Sequence, residues 1–186
     1  MGFDYSHALL QRTQRDWVDP NVGEAVPPTE ALPVTDVLCA DGRRCPLRDG
    51  MADAAISIAV IHHYSTPERR KEAIQELLRV VKPDGGLALI YVWAVEEEEQ
   101  TNRDGGKRKK SKKRAMDKDT GDALVRWEVH EKFDQEKKVY QRYYHFFKKG
   151  ELEALALEAA REMKSACTVK ESYFDRENWC ILLERH

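Results

Sequence analysis

The chain has 186 residues, 41% of them hydrophobic and 34% charged, with a net charge of -2; that is ordinary for one domain and rich enough in apolar residues for a core. Its longest apolar runs, near Ala54 to Ile61 and Gly86 to Val95, are far shorter than the roughly 20 residues a membrane helix needs. No secretory signal opens the chain, and four cysteines are too sparse for a disulfide scaffold; membrane, secreted-miniprotein and fibrous classes are excluded, which leaves the expectation of a soluble intracellular domain.

In chain order, Phe3-Asp4 reads as the end of a strand leading into a helix from about Ser6 to Arg15. Val34 to Ala40 is a short apolar strand that stops at the turn signal Asp41-Gly42. Asp53 to Ile61 is nearly continuous in apolar character, the pattern of a parallel strand covered on both faces. Next comes a helix, with Ile74, Leu77, Leu78 and Val81 at i, i+3, i+4 and i+7 on one face. Ser65 can cap it, with Pro67 in the first turn and Glu68 at the capping-box distance. Lys82-Pro83-Asp84-Gly85-Gly86 ends the helix and starts the strand Gly86 to Trp93. The three together form a βαβ unit.

The stretch from Glu96 to Asp119 holds nine basic and seven acidic residues, with its basicity concentrated between Lys107 and Arg114. Such a run buries no apolar area, so Val95 to about Asp122 reads as a flexible charged insertion within a single domain spanning 1–186. Tyr140 to Phe147 has the composition of an aromatic strand. Glu151 to Lys164 repeats the helical pattern through Leu152, Leu155, Ala156, Ala159, Ala160 and Met163. Strands at Thr168 to Phe174 and Trp179 to Glu184, joined by Asp175 to Asn178, close the chain as an antiparallel hairpin. The class is α/β.

In an open parallel sheet, ligands bind beyond the carboxyl ends of the strands. Asp4 and Asp41 stand at two such ends, and His62-His63 follows a third. One carboxylate there can accept from ribose hydroxyls and the next from an adenine amine, which suggests an adenosine-containing cofactor; an aspartate closing a strand is also common turn chemistry. The cysteine spacings, Cys39 to Cys45 and Cys167 to Cys180, include no C-x-x-C pair, so no metal is expected.

Gly2-Phe-Asp-Tyr-Ser6, Ala40-Asp-Gly42, Ser57 to His63 and Ala88 to Ala94 resemble the class I S-adenosylmethionine-dependent methyltransferases. More narrowly they resemble the eukaryotic tRNA wobble-uridine carboxymethyl methyltransferases, which also occur as the methyltransferase half of AlkB-homologue tRNA hydroxylases. Arg142-Tyr-Tyr-His145, Gly150-Glu-Leu152 and Asn178-Trp179 extend the likeness to the end of the chain. The resemblance implies a Rossmann-like sheet finished by the C-terminal hairpin. It also implies a glycine-rich loop and central first strand ahead of Asp4, so the chain reads as N-terminally truncated, with weak cofactor binding and inactivity in this form as the expectation.

The implied reaction moves a methyl from S-adenosylmethionine to the carboxymethyl group of a wobble uridine in the tRNA anticodon loop. Asp4, Asp41 and Gly42 are then expected to hold the cofactor. His63, with His62 second to it, is expected to orient or neutralise the substrate carboxylate. Arg142 suits RNA phosphate, and Tyr144 and His145 suit an unstacked base, although a strand packing alternate residues inward accounts for some of the same pattern. The Lys107 to Arg114 run fits phosphate attraction, a nuclear-import signal or a solvated linker equally. The family implies a small zinc-binding activator subunit as heterodimer partner, paired along the edge strand Val34 to Ala40, and a cytoplasmic protein, with nuclear entry open. The alternatives are a class I methyltransferase for another substrate, or a noncatalytic fragment that binds a partner or RNA.

Overall fold

A computed structural model describes residues 2–4, 6, 10–11, 36–95, 116–117, 119–128 and 139–186. They fall into two units, Met1–Leu47 and Arg48–His186.

In the first unit, strands β1 (Gly2–Asp4) and β2 (Val37–Cys39) pair in parallel, with Gly2 opposite Val37 and Asp4 opposite Cys39. The pairing continues one step further, where the Ala40 amide donates to the Asp4 carbonyl at 3.1 Å. Of the expected strand from Val34, residues 34 and 35 lie outside the described residues; of the expected helix, Leu10 and Gln11 are helical and most of the remainder lies outside them.

The second unit is built on a four-stranded sheet of order β3-β4-β8-β7: β3 (Ala54–Ile58), β4 (Gly86–Trp93), β7 (Cys167–Asp175) and β8 (Asn178–Arg185). β3 and β4 run parallel, while β8 lies antiparallel to both β4 and β7. Parallel neighbours need a crossover, and helix α1 (Pro67–Val80) supplies it. Ala88, Ile90 and Val92 alternate inward along β4 and pack with Ile74 and Leu78 of α1 and with Leu152 and Ala156 of helix α2 (Glu151–Glu162). Phe147, Ile181 and Leu183 complete this core, each 0% exposed. On the other face, Ile56 and Ile58 of β3 stay exposed.

The resemblance is thus matched in architecture, and the sheet does finish in the expected hairpin. The hairpin turn has two central residues, Arg176 and Glu177, both with positive φ (44° and 70°), since Asp175 pairs directly with Asn178. That is the twist a two-residue loop between right-twisted strands requires.

Three expectations need correction. The second strand does not run from Asp53 to Ile61: it ends at Ile58, Ala59 turns to φ 58°, and Ile61–His63 closes as a single 3-10 turn. The cap of α1 is Thr66, whose side-chain oxygen accepts the Arg69 amide at 3.3 Å, while Ser65 accepts from the Arg69 guanidinium instead. The charged insertion is shorter than Val95 to Asp122. Residues 96–115 lie outside the described residues, but Met116 bridges to Ala123, and the Asp117 side chain accepts the Asp119 and Thr120 amides.

From there strand β5 (Asp122–Glu128), which composition did not suggest, pairs antiparallel with β6 (Val139–His145). Gly121 enters this hairpin at φ 79°, where a Cβ would meet the Phe146 carbonyl oxygen at 2.6 Å. The chain after β6 rejoins the sheet, since Phe147 donates to Trp93 at 2.8 Å and Val95 donates to Phe147 at 2.9 Å. Val95 and Met116, on either side of residues 96–115, both pack on the small cluster of Ala123, Tyr144 and Phe146.

Candidate active site

The carboxyl end of β3 delivers two histidines into different surroundings. His62 is 0% exposed and lies against two aromatic rings, stacked on Tyr144 at 5.4 Å and tilted against Trp93 at 5.1 Å. Its Nδ1 accepts the Trp93 backbone N–H at 3.2 Å, which assigns the ring proton to Nε2, an atom with no hydrogen-bond partner among the described residues. Burial, followed by the positive charges of His63, Arg142 and His145, pushes its pKa down to about 3. His62 is a neutral interior ring, so the structure corrects the expectation that it can neutralise a substrate.

His63 is half-buried and reaches the hairpin. Its Nδ1 lies 3.1 Å from the Tyr143 carbonyl oxygen, which can only accept, so the proton sits on Nδ1 and Nε2 keeps a lone pair. Burial lowers its pKa, the Tyr143 carbonyl opposes that, and Arg142 lowers it further. The resting ring is therefore uncharged. Arg142, on the exposed part of β6, is a cation whose charge lowers the pKa of both histidines.

The other members of the Arg142–His145 motif point inward. Tyr144 is 6% exposed and stacks on Trp93 at 4.5 Å with an interplanar angle of 12°. Its ring is committed to the core, so the expectation of a base-stacking tyrosine is corrected. His145, at 3% exposure, bridges two carboxylates: Nδ1 to Asp122 Oδ1 at 2.8 Å and Nε2 to Glu151 Oε1 at 2.6 Å. It presents no ring face to RNA, and that expectation is corrected too. Both ring nitrogens thus face a carboxylate acceptor. Burial pushes the Asp122 and Glu151 carboxyls up. Hydrogen bonds outweigh it, from Tyr143 and His145 to Asp122 and from His145 and the Lys148 amide to Glu151, and both settle below their ordinary values.

Tyr143 extends the network. Its hydroxyl donates to Asp122 Oδ1 at 2.5 Å and accepts from Arg70 Nη1 at 3.3 Å; the same Nη1 donates to the Tyr64 carbonyl at 3.0 Å. Arg70, Asp122 and Glu151 were not picked out as site residues from sequence. A signal for one of them existed: Arg70 stands four residues before Ile74, on the apolar stripe of α1, and is 5% exposed.

In the first unit, Asp4 and Asp41 follow adjacent parallel strands, as a nucleoside site requires. Asp4 Oδ1 accepts the Ser6 amide at 2.7 Å, and among the described residues Oδ2 takes no hydrogen bond. Asp41 is engaged on both oxygens. Oδ1 accepts the Arg43 amide and Nε at 3.0 and 3.1 Å, and Oδ2 accepts Nη2 at 2.7 Å. Those Arg43 hydrogen bonds hold its carboxyl below the ordinary value. Gly42 is the second residue of the turn that the Arg44 amide closes on the Asp41 carbonyl at 2.9 Å. Among the described residues, no cluster of three His, Cys, Asp or Glu has metal-binding geometry. No helix among them is long and apolar enough to cross a membrane.

A family model described as "Methyltransferase domain" matches residues 1–89. The chain is 34% identical to a tRNA (carboxymethyluridine(34)-5-O)-methyltransferase of Xenopus tropicalis, over 81% of this chain and 29% of that protein. It is also 34% identical to the protein of that name from Schizosaccharomyces pombe, over 81% of this chain and 64% of the relative. The chain thus spans less than a third of the first relative and less than two thirds of the second. Among solved structures, an S-adenosylmethionine-dependent methyltransferase from Methanosarcina mazei covers 99% of this chain at TM-score 0.62, with 80% of its own length matched and 15% identity, a likeness of fold. With a βαβ sheet closed by an antiparallel hairpin and paired carboxylates after adjacent strands, the chain has the fold of the S-adenosylmethionine-dependent methyltransferases and is similar in sequence to the tRNA (carboxymethyluridine) methyltransferases.

Proposed function

We propose that the protein transfers a methyl group from S-adenosylmethionine to the carboxylate of a carboxymethyl group on a tRNA wobble uridine, forming an ester. The observation that carries the proposal is His63, just beyond the carboxyl end of β3, held by the Tyr143 carbonyl with Nε2 unprotonated, next to the position in β6 of the exposed Arg142. A carboxylate nucleophile is anionic at neutral pH and needs no proton removed. A site for it requires a cation, alignment and exclusion of water rather than a strong base. Arg142 supplies the cation for an anion of the substrate. His63 Nε2, bearing a lone pair, accepts from a donor on the nucleoside, such as a ribose hydroxyl or the uracil N–H.

The residues of the first unit fit the cofactor. Among the described residues Asp4 Oδ2 takes no hydrogen bond and could accept from ribose hydroxyls, while an adenine amine at Asp41 would share a carboxylate already held by Arg43. When bound, S-adenosylmethionine supplies an electrophilic methyl on a sulfonium. The proposal extends to a small zinc-binding activator as partner: β2 pairs on one side with β1, and among the described residues no strand covers its other edge.

The test is methyl transfer from labelled S-adenosylmethionine to tRNA bearing carboxymethyluridine, with and without the activator, followed by mild alkali. An ester releases its label, whereas N- or C-methylation does not. Arg142→Ala should cut turnover at least tenfold, and His63→Ala should lower it with cofactor affinity unchanged. Alkali-stable label, or full turnover in both variants, refutes the reading.

A further inference from the structure

His63 is oriented by a main-chain atom, the Tyr143 carbonyl, so its state depends on where β6 sits. Residues Val139 to Arg142 of that strand are exposed, and its end from Tyr144 to His145 is buried. His145 is a polar anchor there. It bonds to Asp122, its direct cross-strand partner, and to Glu151, the first residue of α2. Arg70 of α1 faces the same group through the Tyr143 hydroxyl. The cluster sets Arg70 and His145 against Asp122 and Glu151, joining both hairpin strands to both helices.

We infer that His145 is a positioning residue for His63: by clamping β5, β6 and α2 together it fixes the Tyr143 carbonyl, which holds His63 in the Nδ1–H tautomer with Nε2 unprotonated. This rests on the reading that His63 meets the substrate. A residue that merely stabilises the fold would leave the tautomer alone once the protein is folded.

The experiment is nitrogen NMR of ring-labelled histidines in the full chain, parent against His145→Gln, at neutral pH. The parent should show His63 protonated on Nδ1. In the variant the Nε2–H form should rise at least threefold, and exchange of the Ala123 and Tyr144 amides should quicken about tenfold while α1 is unchanged. An unchanged His63 tautomer in folded His145→Gln overturns the inference. Should that variant not fold, Tyr143→Phe, which keeps the carbonyl but cuts the links to Asp122 and Arg70, is read by the same criterion. Turnover separates the two readings. A tautomer shift with full methyl transfer supports the clamp and refutes the substrate role of His63, and lost transfer with an unshifted tautomer overturns the clamp.

Discussion

Acid should weaken this fold through His62 before it touches the carboxylates. The ring is 0% exposed, and burial pushes its pKa down to about 3 from an ordinary value of 6.5. The folded protein therefore holds His62 neutral while the unfolded chain takes up a proton below 6.5. The unfolded state binds more protons, so stability is lost as pH falls, and the slope vanishes only below about 3, where both states are protonated. The limiting slope is about 1.4 kcal/mol per pH unit, and between pH 7 and 5 the loss integrates to about 2 kcal/mol. The assay is urea unfolding of the parent and of His62→Asn, whose side-chain oxygen can replace Nδ1 as acceptor for Trp93 but does not titrate. The variant's constant offset is irrelevant; only the difference in slope counts. Parallel stability curves between pH 7 and 5 would refute the argument.

Other expectations follow from single contacts. Glu151 has a lowered carboxyl pKa, so its contribution is present above its ordinary value of 4.5 and is lost as pH falls through the lowered one. With its side chain 34% exposed, solvent screening limits Glu151→Gln to a cost of about 1 kcal/mol at pH 7, a gap that closes in denaturant titrations as the pH falls below 4.5 and through the lowered value. Arg185 Nη1 donates to the carbonyls of Leu78, Arg79 and Val81 at the end of α1, at 2.9, 3.1 and 2.8 Å. Arg185→Met should cost about 2 kcal/mol by chemical unfolding, and Arg185→Lys, which keeps charge without the fork, somewhat less. Replacing Arg176-Glu177 with Asn-Gly should raise stability by about 1–2 kcal/mol in the same assay, because both positions have positive φ.

Much of the scaffold was legible because its signals are local. Pro83 with two glycines marks the start of β4, and the apolar spacing of Ile74, Leu77 and Leu78 marks α1. The end of β3 was not legible, since nothing in the run Ile58 to Ile61 announces a left-handed Ala59. β5 was hidden beside a charge run, where Arg126 and Glu128 blur any alternation. The site was readable at the level of residue type and not of role. His145 looked like a surface base-binder because its partners, Asp122 and Glu151, meet it only when β5 pairs and α2 docks. The contact at Tyr143 is carried by a carbonyl oxygen, which every residue possesses, so side-chain chemistry could not point to it.

The packing of Val95 and Met116 on one cluster separates the length of the intervening segment from the geometry of the site. A segment that leaves and returns at the same place pulls on nothing beyond its own ends. Residues 96–115 are therefore a position where the chain can lengthen, shorten or accept a grafted module while His63 and Tyr143 keep their register. A module placed there would be tethered beside Trp93 and the hairpin, so even a weak binding element would act at high local concentration.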